Sequence, residues 1–176
     1  MPHRLEHPDP FLLHATAGWM GLRDFTSASA ELDSIRAAPQ DHPAVLELRF
    51  AIAAHQKAFA DCERWGRHHA QVHPADPQGW INLANALFWQ ARYDEAHANA
   101  TAVLEKFPDQ WPLRYNLACY CVKLNDLDQA KRWFNETAKL AEGKELRKLA
   151  LNDPDMRELW DWVKKHSALS DKPSAA

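Results

Sequence analysis

The chain has 176 residues, enough for one domain with a sizeable core, and 21 basic against 24 acidic residues leave a formal net charge of −3. Balanced charge without a run of Lys or Arg argues against nucleic acid as an electrostatically driven partner, and no stretch of about 18 apolar residues is present to cross a membrane. The three cysteines, Cys62, Cys119 and Cys121, have no framework spacing. Cys119 and Cys121, two apart, would point to different faces of a helix, so free thiols in a reducing compartment are expected.

From the N-terminus, residues 1–8 contain no apolar signal core, so a flexible start to a cytoplasmic protein is expected. Beyond them the chain carries only five glycines, alanine-rich periodic segments and no convincing period-2 alternation, which together favour helix throughout. Prolines 10, 39, 43, 74, 77, 108, 112 and 154 stand where helices should start or stop. They bound segments of about 30 residues, each split into two helices by a short turn: Leu22–Phe25, Lys57–Asp61, Ala91–Asp94 and Leu124–Asp128. The Asp or Asn in each turn can satisfy helix-end amides.

The units implied are 9–42, 43–76, 77–110 and 111–144. Residues 145–166, with Leu146, Leu149, Leu151, Met156, Leu159, Trp160 and Val163, suit a C-terminal cap broken at Asn152-Asp153-Pro154. Asp153, Asp155, Glu158 and Asp161 are expected to form a solvated face near a helix N-terminus. Residues 167–176 are expected to be a disordered tail, and 9–166 a single domain.

The units share a period. Asn82, Leu83, Ala84 and Ala96 recur 34 positions later as Asn116, Leu117, Ala118 and Ala130, and Pro74 and Pro108 keep the same spacing. A period of this size marks a helical repeat, because one helix pair cannot bury both faces and must stack on its neighbours. The sequence resembles the tetratricopeptide repeat, whose pattern is W-x2-L-G-x2-Y, then A-x3-F, then P. Trp80, Leu83, Ala84, Leu87, Ala96, Ala100 and Pro108 match it in the third unit. In the fourth, Leu117, Ala118, Cys121, Ala130 and Phe134 do so. Leu12, Ala15, Trp19, Ala28 and Leu32 fit the first unit. Leu46, Ala53, Cys62 and Pro74 fit the second, which departs from the pattern at Arg49 and Phe50. Tyr115–Tyr120 together with Leu151–Met156 also resembles bacterial single-domain repeat proteins. The resemblance implies an all-α, right-handed α-solenoid of about four helix pairs plus C-terminal capping helices.

Motifs for catalysis are missing: there is no phosphate-binding glycine loop, no nucleophile elbow and no H-E-x-x-H. Cys119 lies in apolar helical context without a partner motif, which disfavours a nucleophile. His69 and His73 share a helical face at i, i+4, an allowed ligand pair, but no carboxylate or thiol completes it at ligand spacing. Histidines on the surface near a helix C-terminus are the expected reading. No catalytic residue, cofactor or metal is therefore assigned.

In tetratricopeptide arrays the first helix of each unit lines a concave groove. Carried onto this sequence, that implies groove positions at Gln78, Ile81, Asn82, Asn85, Phe88 and Trp89 in the third unit, and at Pro112, Tyr115, Asn116, Cys119, Val122 and Lys123 in the fourth. Of these, Ile81, Asn82, Asn85, Phe88, Trp89, Tyr115, Asn116, Cys119 and Lys123 are the expected peptide-binding residues. Leu13, His14, Ala17 and Met20 of the first unit, and Ala44, Glu47, Leu48, Ala51, Ala54 and His55 of the second, would extend the groove. In peptide-binding members, Asn at the position of Asn82 and Asn116 hydrogen-bonds an extended peptide; an Asn bonded to a neighbouring helix or water is the competing reading. The family's clamp for a terminal carboxylate is unmatched, because Pro112 and Asn116 stand where basic residues belong. The expected role is a non-enzymatic adaptor that binds a protein or peptide partner. Rival readings are a self-associating structural protein, a secretion-type chaperone and, on the His68–His73 cluster alone, a metal-dependent enzyme.

Overall fold

A computed structural model describes residues 5–35, 38–141 and 143–165; the expected tail and the first four residues lie outside them. The architecture is all-α, with no strand among the described residues. The chain divides into two compact units, Met1–Ala91 and Arg92–Ala176.

The N-terminal unit holds α1 (Asp9–Gly21), α2 (Phe25–Asp33), α3 (Pro43–His55), α4 (Phe59–Val72) and α5 (Pro77–Trp89), with a 3-10 turn at Ala38–Asp41. The second unit holds α6 (Tyr93–Lys106), α7 (Trp111–Lys123), α8 (Leu127–Leu140), α9 (Gly143–Asn152) and α10 (Trp160–Lys165), with a 3-10 segment at Pro154–Leu159.

Local chemistry explains the boundaries. Pro43 opens α3 and Pro77 opens α5 at positions where the missing amide costs no helical hydrogen bond. Side chains cap the same ends: His42 Nδ1 accepts from the Ala44 amide at 3.2 Å, and Asp76 Oδ1 from the Gln78 amide at 2.9 Å. Asp24 caps α2 through the Ser27 amide at 3.0 Å, and Asp126 caps α8 through the Gln129 amide at 3.0 Å.

The helices α1, α3, α5 and α7 all run into a left-handed residue. Arg23, Lys57, Ala91 and Asn125 have φ of 62°, 57°, 58° and 60°, each 34 positions after the last. Each turns the chain and lets its amide bond back into the last helical turn, as Ala91 does to the Phe88 carbonyl at 2.9 Å. Asparagine tolerates this conformation, but alanine gains nothing there to offset the Cβ clash. The 34-residue period is therefore visible in the backbone as well as in the side chains.

The core of the first unit has two parts. Ala28, Leu32, Ile35, Val45 and Ile52 join α2 to α3, with Leu12, Leu13, Met20 and Phe25 packed around them. Phe50, Ala53, Cys62 and Ala86 join α3, α4 and α5. Helices α4 and α5 approach closely enough to bring main chain against main chain. A Cβ on Gly66 would meet the Leu83 amide nitrogen at 2.7 Å, and one on Gly79 the Ala70 nitrogen at 2.6 Å.

The departure at Arg49 and Phe50 has a structural reason. Arg49 leaves the apolar core and is held by Asp33 at 2.9 Å and Gln40 at 2.7 Å, with its guanidinium 5.0 Å from the Trp65 ring centre. Phe50 stacks on Trp89, with ring centres 5.8 Å apart.

The core of the second unit gathers Ala96, Ala100, Leu113, Leu117, Ala118, Ala130 and Phe134 with Leu146, Ala150, Met156, Leu159 and Val163. Trp162 closes on Phe134 edge to face, with ring centres 5.7 Å apart. The cap residues expected from the sequence thus split: Leu146, Met156, Leu159 and Val163 are buried, whereas Leu149 is 43% exposed.

Two substitutions test these contacts in opposite directions. Gly79→Ala improves helix propensity, yet it forces main chain apart at the α4–α5 contact, so thermal and urea denaturation should show a loss of about 2 kcal/mol. Ala91→Gly adds no contact but relieves the left-handed residue, and the same measurements should show a gain of about 1 kcal/mol.

Candidate functional site

In the N-terminal unit the inner faces of α1, α3 and α5 border one depression of about 510 Å³. Residues Ala44, Glu47, Leu48 and Ala51 follow the i, i+3, i+4, i+7 spacing that puts them on one face of α3. Leu13 of α1 and Phe50 of α3 contribute apolar surface, and Gln78 and Asn82 of α5 contribute amides. The two alanines supply the room, because a methyl group at each leaves the helix surface low between larger neighbours. Gln78 Nε2 donates to Asn82 Oδ1 at 2.9 Å, and Asn82 is buried. Glu47 is exposed and has no hydrogen-bond or ion-pair partner among the described residues.

Of the six α5 residues expected on a groove face, Gln78 and Asn82 border this depression. Ile81 is buried, and Asn85 and Phe88 are half-buried. Trp89 is 39% exposed and packs on Phe50 and Phe59, its ring centre 5.8 and 5.7 Å from theirs. It therefore works in the packing of its own unit. Phe50 is the lining residue that register did not assign, because the repeat pattern expects a small side chain at its position.

In the second unit Tyr115, Cys119 and Lys123 form a stripe on α7 at i, i+4 and i+8, and the chain's own Asp153-Pro154-Asp155 lies against it. The Tyr115 hydroxyl donates to Asp153 Oδ2 at 2.7 Å, the Cys119 thiol lies 3.7 Å from the same oxygen, and Lys123 Nζ meets Asp155 Oδ1 at 2.9 Å. Asp153 Oδ1 also accepts from the Asp155 amide at 2.9 Å, capping the segment it begins. The expected solvated face therefore needs correction at these two acids, which join the cap to α7. Asn116, the counterpart of Asn82, is half-buried and its side chain hydrogen-bonds Tyr120.

Burial, reinforced by Asp153 and Asp155, raises the Cys119 thiol well above its ordinary pKa. Burial pushes Tyr115 up as well, with Cys119 and Asp153 adding to it. Lys123 is raised chiefly by its hydrogen bond to Asp155. Cys62 and Cys121 are pushed up to about 11, mainly by burial and secondarily by Asp61 and Asp126. All three thiols are buried, unbridged and protonated at neutral pH, so none is poised as a thiolate nucleophile.

Residues 90–152 match the family model described as tetratricopeptide repeat. No curated protein matches the chain. The 34-residue spacing of left-handed residues continues outside the matched stretch, at Arg23 and Lys57.

The histidines near the end of α4 are not all on the surface, as the sequence suggested. His69 is 1% exposed, with Nε2 3.0 Å from Asp76 Oδ2, so it links α4 to the cap of α5. His68 Nε2 lies 2.7 Å from Asp41 Oδ1, and His73 Nε2 lies 2.5 Å from the Asp41 carbonyl. These contacts tie the 3-10 turn at Ala38–Asp41 to α4. Burial, and then the charge of His73, lowers the pKa of His42. No cluster of three or more His, Cys, Asp or Glu suited to a metal occurs among the described residues.

Asp153→Ala should cost about 2 kcal/mol in urea denaturation, because it removes a cap and leaves the buried Tyr115 hydroxyl without its acceptor. Asp153→Asn keeps an oxygen at that point and should cost less than half as much.

Proposed function

We propose that this protein is an interaction module which takes a peptide segment of a partner protein into the depression bordered by α1, α3 and α5. The carrying observation is the form of that depression. Its lining is mainly apolar, from alanines, leucines and Phe50, and includes the side-chain amides of Gln78 and Asn82, which can donate to and accept from a peptide backbone. The family match of residues 90–152 supports an interaction role, since tetratricopeptide repeats are typically non-catalytic binding folds.

The two halves of the expected groove differ in their readiness for such a role. On α7, Tyr115, Cys119 and Lys123 already have the cap segment as their partner, so a ligand there would have to displace it. On α3 the lining includes small side chains and an unpaired carboxylate. Asn82 and Gln78 bond to each other, and both are placed to exchange that bond for contacts to a peptide backbone. The proposed site is therefore Leu13, Ala44, Glu47, Leu48, Ala51, Gln78 and Asn82, all of them groove positions by the repeat register.

Selection of random peptides from a display library on the wild-type protein tests the reading. Recovered peptides should lose at least about tenfold in affinity on Ala51→Trp, which fills the floor, while far-UV circular dichroism stays unchanged. Gln78→Ala/Asn82→Ala should weaken them by a smaller factor. Equal binding to all of these proteins, each folded, would overturn the site.

A further inference from the structure

We infer that the segment received by the α1–α3–α5 depression carries a basic side chain that pairs with Glu47. The inference rests on the interaction site proposed above and adds the chemistry of its occupant.

The three bordering helices carry few fixed charges. Asp9 lies on α1, Glu47 and Arg49 on α3, and α5 has none. Asp9 is fully buried at the start of its helix. Arg49 is turned to the opposite side, where Asp33, Gln40 and the Trp65 ring hold it. Among the residues bordering the depression, Glu47 is the one fixed charge. A segment laid in the depression therefore meets one charged lining residue, a carboxylate with no ion-pair partner among the described residues.

An apolar segment laid on Ala44, Leu48 and Ala51 removes water from beside that carboxylate. A segment that is uncharged at this point leaves Glu47 partly desolvated and unpaired, and an acidic one adds repulsion. A lysine or arginine one turn or two residues from the apolar anchor instead replaces the lost water with a charge-assisted hydrogen bond. The geometry thus selects an occupant with an apolar side chain over the alanine floor and a cation over Glu47. A second copy of this chain and an acidic peptide are the competing occupants.

The same display library decides among them when it is panned on wild type, Glu47→Gln and Glu47→Lys. Peptides recovered on wild type should be enriched in Lys or Arg, should weaken about fivefold on Glu47→Gln, and should lose that difference in high salt. Panning on Glu47→Lys should enrich Asp or Glu in their place. Recovered peptides of neutral or acidic character that still require an open Ala51 floor would overturn the charge inference and leave the interaction site standing. Recovered peptides indifferent to both Ala51→Trp and Glu47→Lys would overturn both. A dimer in sedimentation equilibrium that Ala51→Trp dissociates would identify a second copy as the occupant and would also overturn the inference.

Discussion

Main chain meets main chain where α4 crosses α5. At Gly66 and Gly79 a single methyl group would lie 2.7 and 2.6 Å from backbone nitrogen, so neither position has space for a side chain. Such an approach brings large areas of both helices into contact, and close packing of that kind gives way in steps rather than smoothly. It holds α5 in one orientation in its unit. That orientation puts Gln78 and Asn82 beside the α3 face bearing Ala44, Glu47, Leu48 and Ala51. His69 reinforces the contact from α4, bonding the carboxylate that caps α5. The depression is therefore a consequence of how tightly a neighbouring pair of helices packs.

The second unit resolves the same problem differently. An exposed stripe at the end of a helical repeat must be covered or made polar. Here α7 presents a hydroxyl, a thiol and an ammonium group, and the segment after α9 covers them with Asp153 and Asp155. The contact is polar but partly shielded, which raises the thiol and phenol pKa values and leaves both groups protonated. A stripe of polar side chains on an inner face can thus serve the fold's own closure as readily as a ligand.

Much of the architecture was legible in the sequence because a repeat writes the same packing requirement several times over. Pro43, Pro77 and the alanines Ala84, Ala96, Ala118 and Ala130 mark helix starts and close contacts without reference to anything distant. Arg49 and Phe50 were legible only as an anomaly, since their explanation is a set of partners from three other helices: Asp33, Trp65 and Trp89. The expected groove residues were less legible still. Register gives the face of a helix on which a residue lies, but not what covers that face. Asn82 and Asn116 are equivalent by period, yet Asn82 bonds Gln78 beside a depression while Asn116 bonds Tyr120.

By itself the sequence determined the helical class, the period, the turn positions and the burial of the small residues, because these depend on spacing and on the conformational limits of single residues. Tertiary structure decided which inner-face side chains remain available. It withdrew Tyr115, Cys119 and Lys123 into contact with the cap, turned Arg49 away from the depression, and left Glu47 without a cation. The physical reason is the range of the interactions. Helix boundaries and periodicity are set within a few residues, whereas the pairing of a polar side chain depends on whichever charge or lone pair the fold brings within about 3 Å.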